Sequence, residues 1–305
     1  MNWLYIALLS PALWAAGNHI DKFLLEKRLR EGGVGSLILF SSLIGLLPVP
    51  VILFVHPAVL NISLRNAGIV VLNGVLYVVS LLPYLHALHR DEASIVVPLF
   101  QTTAVFSYAF GWLVLGETLT PLQGFAAALI ILGSLALSVE LKPRGYRLKT
   151  DVLLLMLAAS LLNALNWLLF KFVAVQEDFW VSSFWEYIGF ISFGLLAFVW
   201  VKPWRDEFMA VLKANRASVL ALVALNEGIS LAAKVSTNVA SLTAPLALIS
   251  TVHGLQPAFV LFYGVLLTLF VPSYGRENLA KRVIVQKIAA IALTITGTYM
   301  LGTSG

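Results

Sequence analysis

The chain has 305 residues, of which 60% are hydrophobic and only 11% charged, with a mean hydropathy of +0.91. Soluble domains carry roughly 25% charge, so this composition excludes a soluble catalytic domain and marks an integral membrane protein. Zero cysteines exclude disulfides, thiol nucleophiles and thiolate metal sites, and the net charge of +5 sits in loops, where it reads as membrane topology and not as nucleic-acid binding.

Apolar runs of about 20 residues, each able to cross a ~30 Å hydrocarbon layer, recur ten times. They cover 2–20, 34–55, 67–88, 94–115, 122–139, 151–173, 181–201, 217–239, 245–270 and 283–302. A backbone in lipid must satisfy its own hydrogen bonds, so each run is expected to be a helix. The first has no basic flank before it, and its first charges, Asp21 and Lys22, follow it. It therefore reads as a retained helix and not as a cleaved signal. Runs 4 and 5 form a hairpin around Gly116 to Pro121. There Thr120 is an N-cap and Pro121 takes the first helical position.

Polar residues inside these runs carry the information, because in lipid they are costly unless they face a cavity or a partner. Run 3 has Asn73, Tyr77, Ser80 and Tyr84 at i, i+4, i+7 and i+11, which is one helical face. Run 8 repeats the pattern with Asn226, Ser230 and Thr237. Runs 1 and 6 each bring a tryptophan and amides, Trp14 with Asn18, and Asn163, Asn166 with Trp167. Runs 4 and 9 add Gln101, His253 and Gln256. These side chains are expected to line a substrate cavity. The competing interpretation is interhelical hydrogen bonding, worth ~0.6 kcal/mol apiece. Glu227, near the middle of run 8, is a candidate for taking up and releasing a proton in each cycle. Lys234 lies seven residues on, about 10 Å along the axis, so a bridging water or solute is expected between the two. Glu186 stands near an end of run 7, within reach of headgroups. Pro257, in the middle of run 9 beside Gly254 and Gln256, should kink its helix and act as a hinge.

A polar link at 140–150 divides the chain into halves, 1–140 and 151–305. Ala104-Val105-Phe106 and Gly111 recur 153 residues later as Pro257-Ala258-Phe259 and Gly264, and the same spacing relates Asn73 to Asn226 and Tyr77 to Ser230. Lys22 and Lys171 match at 149, and Gly133 matches Gly297. Five runs per half is an odd number, so the two copies would be inverted. Loops after the odd-numbered runs hold 16 basic residues, while the other side has Arg65 and Lys171. The positive-inside rule then sets those loops in the cytoplasm and both termini outside, in a cell (plasma or inner) membrane.

The run LGETLTPLQGFAAALIILG, with the upstream Asp91-Glu92-Ala93-Ser94 and Val97-Pro98-Leu99, resembles the drug/metabolite transporter superfamily, EamA type. Where that family has Pro-x-Phe in this helix, the chain has Ala104-Val105-Phe106. The resemblance implies an all-α membrane fold of ten helices in two inverted five-helix repeats. It also implies a central cavity between the halves and termini in the cytoplasm, against the charge count.

The expected function is a secondary-active transporter (permease) of small amino-acid-like or other polar or amphipathic solutes, by alternating access and with possible proton coupling. Its partners would be the solute, protons and the bilayer, in a monomer or weak homodimer, with no cofactor, metal or nucleic acid. The alternatives are a lipid or lipid-linked sugar flippase and, further off, a membrane-embedded transferase. No GxxxxGK[ST], HExxH or GxSxG pattern occurs, which leaves no basis for an ATPase, zincin or serine hydrolase. His86 and His89 stand near Asp91 and Glu92 and read as a solvated loop before a metal site.

Overall fold

A computed structural model describes residues 2–29, 33–115, 120–137, 139–142, 145–174, 177–214, 217–243, 252–274 and 277–303. Its helices are α1 (Asn2–Phe23), α2 (Gly33–Leu43), α3 (Pro48–Val55), α4 (Leu64–Arg90), α5 (Ala93–Leu99), α6 (Thr102–Leu115), α7 (Pro121–Leu137), α8 (Thr150–Ala174), α9 (Phe179–Trp200), α10 (Lys202–Lys213), α11 (Ala217–Thr243), α12 (Gln256–Phe270) and α13 (Lys281–Thr303). Among the described residues five stretches are long and apolar enough to cross a membrane: Gly33–Val55, Leu64–Arg90, Phe179–Trp200, Ala217–Thr237 and Lys281–Met300. Three shorter apolar helices join them, and Phe54, Leu72, Leu132, Leu196 and Phe262 point outward as a lipid-facing skin. The protein is a multi-pass membrane protein.

Helix starts follow their capping residues. Ser63 Oγ accepts the Asn66 N–H at 3.1 Å to open α4, and Asp178 Oδ1 accepts the Trp180 N–H at 2.7 Å to open α9. At α7, Thr120 Oγ1 accepts the Gln123 N–H at 3.3 Å while Gln123 Oε1 accepts the Thr120 N–H at 2.8 Å. This is a reciprocal capping box. The turn expected at Gly116 to Leu119 lies outside the described residues.

Several expected helices are interrupted. Run 2 passes through a 3-10 turn at Ile44–Leu46 before α3 restarts at Pro48, which has no N–H to continue the ladder. Run 4 is broken at Phe100 and Gln101, whose N–H groups bond back three residues to Val97 and Pro98 carbonyls, each at 3.0 Å. Pro98 therefore ends α5 and does not open a long helix. Pro257 also departs from the expectation. It stands in the first turn of α12, after a turn at Gly254 and Leu255, so the mid-helix kink expected there is instead a helix start, where a missing N–H costs nothing. The link at 140–150 forms an antiparallel hairpin, Val139–Lys142 with Gly145–Leu148.

Packing fixes the helix directions. Ser10 meets Thr237 at 2.6 Å and Asp21 meets Asn226 at 2.6 Å, so α1 and α11 run antiparallel. Asn73 meets Asn166 at 2.9 Å and Arg90 meets Asp151 at 3.1 Å, so α4 and α8 do the same. Gly74 and Gly189 let α4 and α9 cross with backbones in contact, since a Cβ on Gly74 would lie 2.1 Å from the Glu186 carbonyl. Gly133 and Gly297 play that role between α7 and α13. A Cβ on Gly133 would stand 2.7 Å from the Ala290 carbonyl, and one on Gly297 would stand 2.6 Å from the Ala126 carbonyl.

The basic loops converge on one end of the molecule. Residues after α1, between α4 and α5, and after α12 surround a cavity of about 510 Å³. Lys149 joins them through Asp91 at 2.6 Å. The amphipathic α10 closes the same end over the start of α2, with Trp204 on Gly35 and Phe208 buried against Phe40. Burial holds the Glu207 carboxyl on α10 above the usual carboxylate range, opposed by a hydrogen bond from the Ser36 backbone.

Candidate functional site

The polar faces of α1, α4, α8, α9, α11 and α12 meet in a seam through the middle of the bundle. On one side, Asn166 Nδ2 donates to both the Asn73 backbone carbonyl and its Oδ1, each at 2.9 Å. Asn73 in turn donates to Glu186 Oε1 at 3.3 Å. Glu186 is only 3% exposed and holds the Lys234 ammonium at 2.7 Å. That ammonium lies 4.7 Å from the ring centres of Tyr77 and Phe190 and 5.5 Å from that of Tyr187, which makes a cation–π box. Tyr77 itself stacks on Phe190 at 4.9 Å.

Across the seam, Asn18 joins two helices, donating to Tyr84 Oη at 2.6 Å and accepting from Gln256 Nε2 at 2.9 Å. Asn226 donates to Asp21 at 2.6 Å, and its buried Oδ1 has no hydrogen-bond partner among the described residues. Ser230 lies one turn further along α11 and, with Asn226, faces Gly17, where a Cβ would be 3.3 Å from Asn226 Oδ1. Glu227, on a neighbouring face, accepts from Ser41 at 2.6 Å. At the far end His253 bonds Thr237 at 3.1 Å, and Trp14 meets the His253 ring edge-on at 5.2 Å.

The expected residues therefore gather, with specific differences. The arrangement expected between Glu227 and Lys234 does not form, because Lys234 turns to Glu186 on α9 and Glu227 turns to Ser41 on α2. Glu186 is a buried ion-pair partner and not a headgroup contact. Two carboxylates on different helices compete for one lysine, and the α4–α9 backbone contact brings Glu186 closer. Ser80 bonds the Tyr77 carbonyl of its own helix at 2.6 Å. Gln101 stands at the α5–α6 break, where Thr298 reaches it at 3.5 Å. Asn163 is half-buried on α8. The Trp167 side chain lies outside the described residues.

Sequence reasoning passed over Asp21 as a post-helix charge, although it follows Asn18 by three residues, the spacing of one helical face. It also passed over Lys287, a lone cation within run 10. Its intramembrane position was the usable signal.

Residues 1–139 match the model of the EamA-like transporter family. The matched stretch is just under half of the chain. The family falls within the drug/metabolite transporter superfamily, whose members are membrane transporters and not enzymes. No curated protein matches the chain. Among solved structures, one crystal structure of a protein is similar at 14% identity with a TM-score of 0.51, over 98% of this chain and 94% of its own. At that identity the likeness is one of fold.

Proposed function

We propose that this EamA-like transporter is a secondary carrier of small polar or amphipathic solutes, amino-acid-like among them. It works by alternating access between two inverted five-helix halves, 1–140 and 151–305, that together make ten spans. The observation that carries the reading is reciprocal packing. At the 149-residue spacing of Lys22 and Lys171, Gly17 corresponds to Asn166, and at the 153-residue spacing, Asn226 corresponds to Asn73. The two contacts are the same contact with the halves exchanged, Gly17 on Asn226 and Asn166 on Asn73. Gly133 touches the residues three and seven before Gly297's position, and Gly297 touches those three and seven before Gly133's. The breaks at Phe100–Gln101 and Gly254–Leu255 stand 154 apart, one residue off the 153-residue spacing. Broken helices facing a repeat interface are a recurring way to build a transport site.

In this reading the seam is the closed form of the solute path. The Lys234–Glu186 pair and its aromatic box sit on one wall, and Asn18, Tyr84 and Gln256 on the other. Glu227 is the proton-coupling group. Its anchor Ser41 lies on a different half, so protonation there can bias how the halves meet. Both termini are extracytoplasmic, because the basic end faces the cytoplasm by the positive-inside rule.

The test is solute flux in proteoliposomes, with radiolabelled amino acids or amines and with or without a pH gradient. Gradient-driven uptake is expected in the parent. Glu227→Gln should lose the gradient dependence while keeping counterflow. Equal gradient dependence in both would remove Glu227 from coupling.

A further inference from the structure

The basic end carries a second group of buried charges, separate from the seam. Lys287, in the second turn of α13 and 1% exposed, is gripped by Glu277 at 2.6 Å and contacts Glu92. Glu92 comes from the other half, at the start of α5. Its second oxygen accepts the Asn278 N–H at 3.2 Å, while Ser94 beside it donates to Glu277 at 2.5 Å. Glu277 is seated firmly in its own half. Its N–H donates to Thr268 Oγ1 at 2.8 Å, and its side chain fills the space a Cβ on Gly264 would need. Glu92 is the looser member, about a quarter exposed, and lines the 510 Å³ cavity with Lys22, Arg90 and Tyr274.

On the transporter reading above, we propose that Glu92, Glu277 and Lys287 form a charged pin that keeps the basic end shut, and that the Glu92–Lys287 contact is the one that parts when the solute path opens to that side. Two carboxylates serving one ammonium make this feasible. Breaking a buried ion pair usually strands a charge, which costs several kcal/mol. Here Glu277 stays with Lys287, and Glu92 moves into a water-accessible cavity. The described residues show no matching charged trio at the start of α7. The 164-residue spacing of Gly133 and Gly297 relates Lys287 to Gln123, a neutral residue engaged in capping α7. The starts of α7 and α13 are thus held by different chemistry.

The chain has no cysteine, so a single Asn18→Cys, one turn deeper than Lys22, reports opening by its labelling rate. An impermeant maleimide is supplied to one face of proteoliposomes at a time. Glu92→Gln should raise labelling from the basic side at least fivefold and leave the other side unchanged. Glu92→Asp, with the charge kept but the reach shortened, should fall between. Parent-like labelling in Glu92→Gln, or an equal rise on both faces, would overturn the pin. Flux measured separately on vesicles of the parent chain and of Glu92→Gln, both keeping Asn18, separates the two ideas. Faster one-sided labelling in a protein that moves no solute keeps the pin and removes the carrier reading. Flux with unchanged labelling does the reverse.

Discussion

Lys234 shows how one side chain is held where a free charge could not survive. Its ammonium has one carboxylate partner, Glu186, and three aromatic faces, so it is paired and only partly solvated. Replacing it with Met leaves Glu186 buried with only the Asn73 amide for support. A stranded buried charge of this kind costs about 3–5 kcal/mol. Lys234→Met should therefore unfold at a distinctly lower temperature than the parent in the same nanodiscs. Adding Glu186→Gln should recover most of the loss, because a neutral amide can still accept from Asn73. If the double variant is no more stable than Lys234→Met alone, packing around the lysine and not charge pairing sets the cost. This pair was only partly legible in the sequence. Lys234 stands out in the sequence as a cation in lipid, but the carboxylate the sequence offers it, through a bridging water or solute, is Glu227, seven residues away on the same helix. Spacing along one helix says nothing of a carboxylate brought in by another, and here the close approach of α4 and α9 at Gly74 and Gly189 decides it.

At the scale of single elements, local chemistry was the most readable part. The Thr120 cap, the Pro121 start and the apolar length of most runs follow from propensity and hydropathy, which need no knowledge of neighbours. Where a run is interrupted, hydropathy is blind. The residues at the breaks, Phe100 and Gln101 or Gly254 and Leu255, do not differ in polarity enough to mark a change of backbone course. The amphipathic α10 was also missed, because it is too polar to read as a span and too short to stand out in a loop. The cap offers a direct measurement. Thr120→Ala removes the acceptor for the Gln123 N–H and should cost about 0.5–2 kcal/mol. Thr120→Ser, which keeps the hydroxyl, should stay within experimental error of the parent by thermal unfolding. A full loss with Ser would mean that the threonine methyl and not the cap matters.

For the molecule as a whole, several contacts between 1–140 and 151–305 recur with the partners exchanged, and the proposed inverted repeat has a consequence for topology. Corresponding helices α7 and α13 lie antiparallel against each other through Gly133 and Gly297. Loops that follow them in their own halves must then emerge on opposite faces. Bonds on the non-basic side agree, since Asn66 after run 2 meets Glu177 after run 6 at 2.7 Å. The charge bias at the other end is carried by Lys22, Arg90, Lys149 and Lys213, at the helix ends and short links on that side, where the positive-inside rule acts most strongly. Single cysteines at Lys213 and Asn61 in the cysteine-free chain test the result in intact cells. An impermeant maleimide added outside should label Asn61→Cys and spare Lys213→Cys until the cells are opened. The reversed pattern would keep the fold and the antiparallel halves but turn the molecule over. The basic cavity, with its Glu92–Lys287 pin, would then become the outer mouth of the path. Labelling of both sites from outside would contradict the antiparallel arrangement itself, since one face cannot carry loops from both classes.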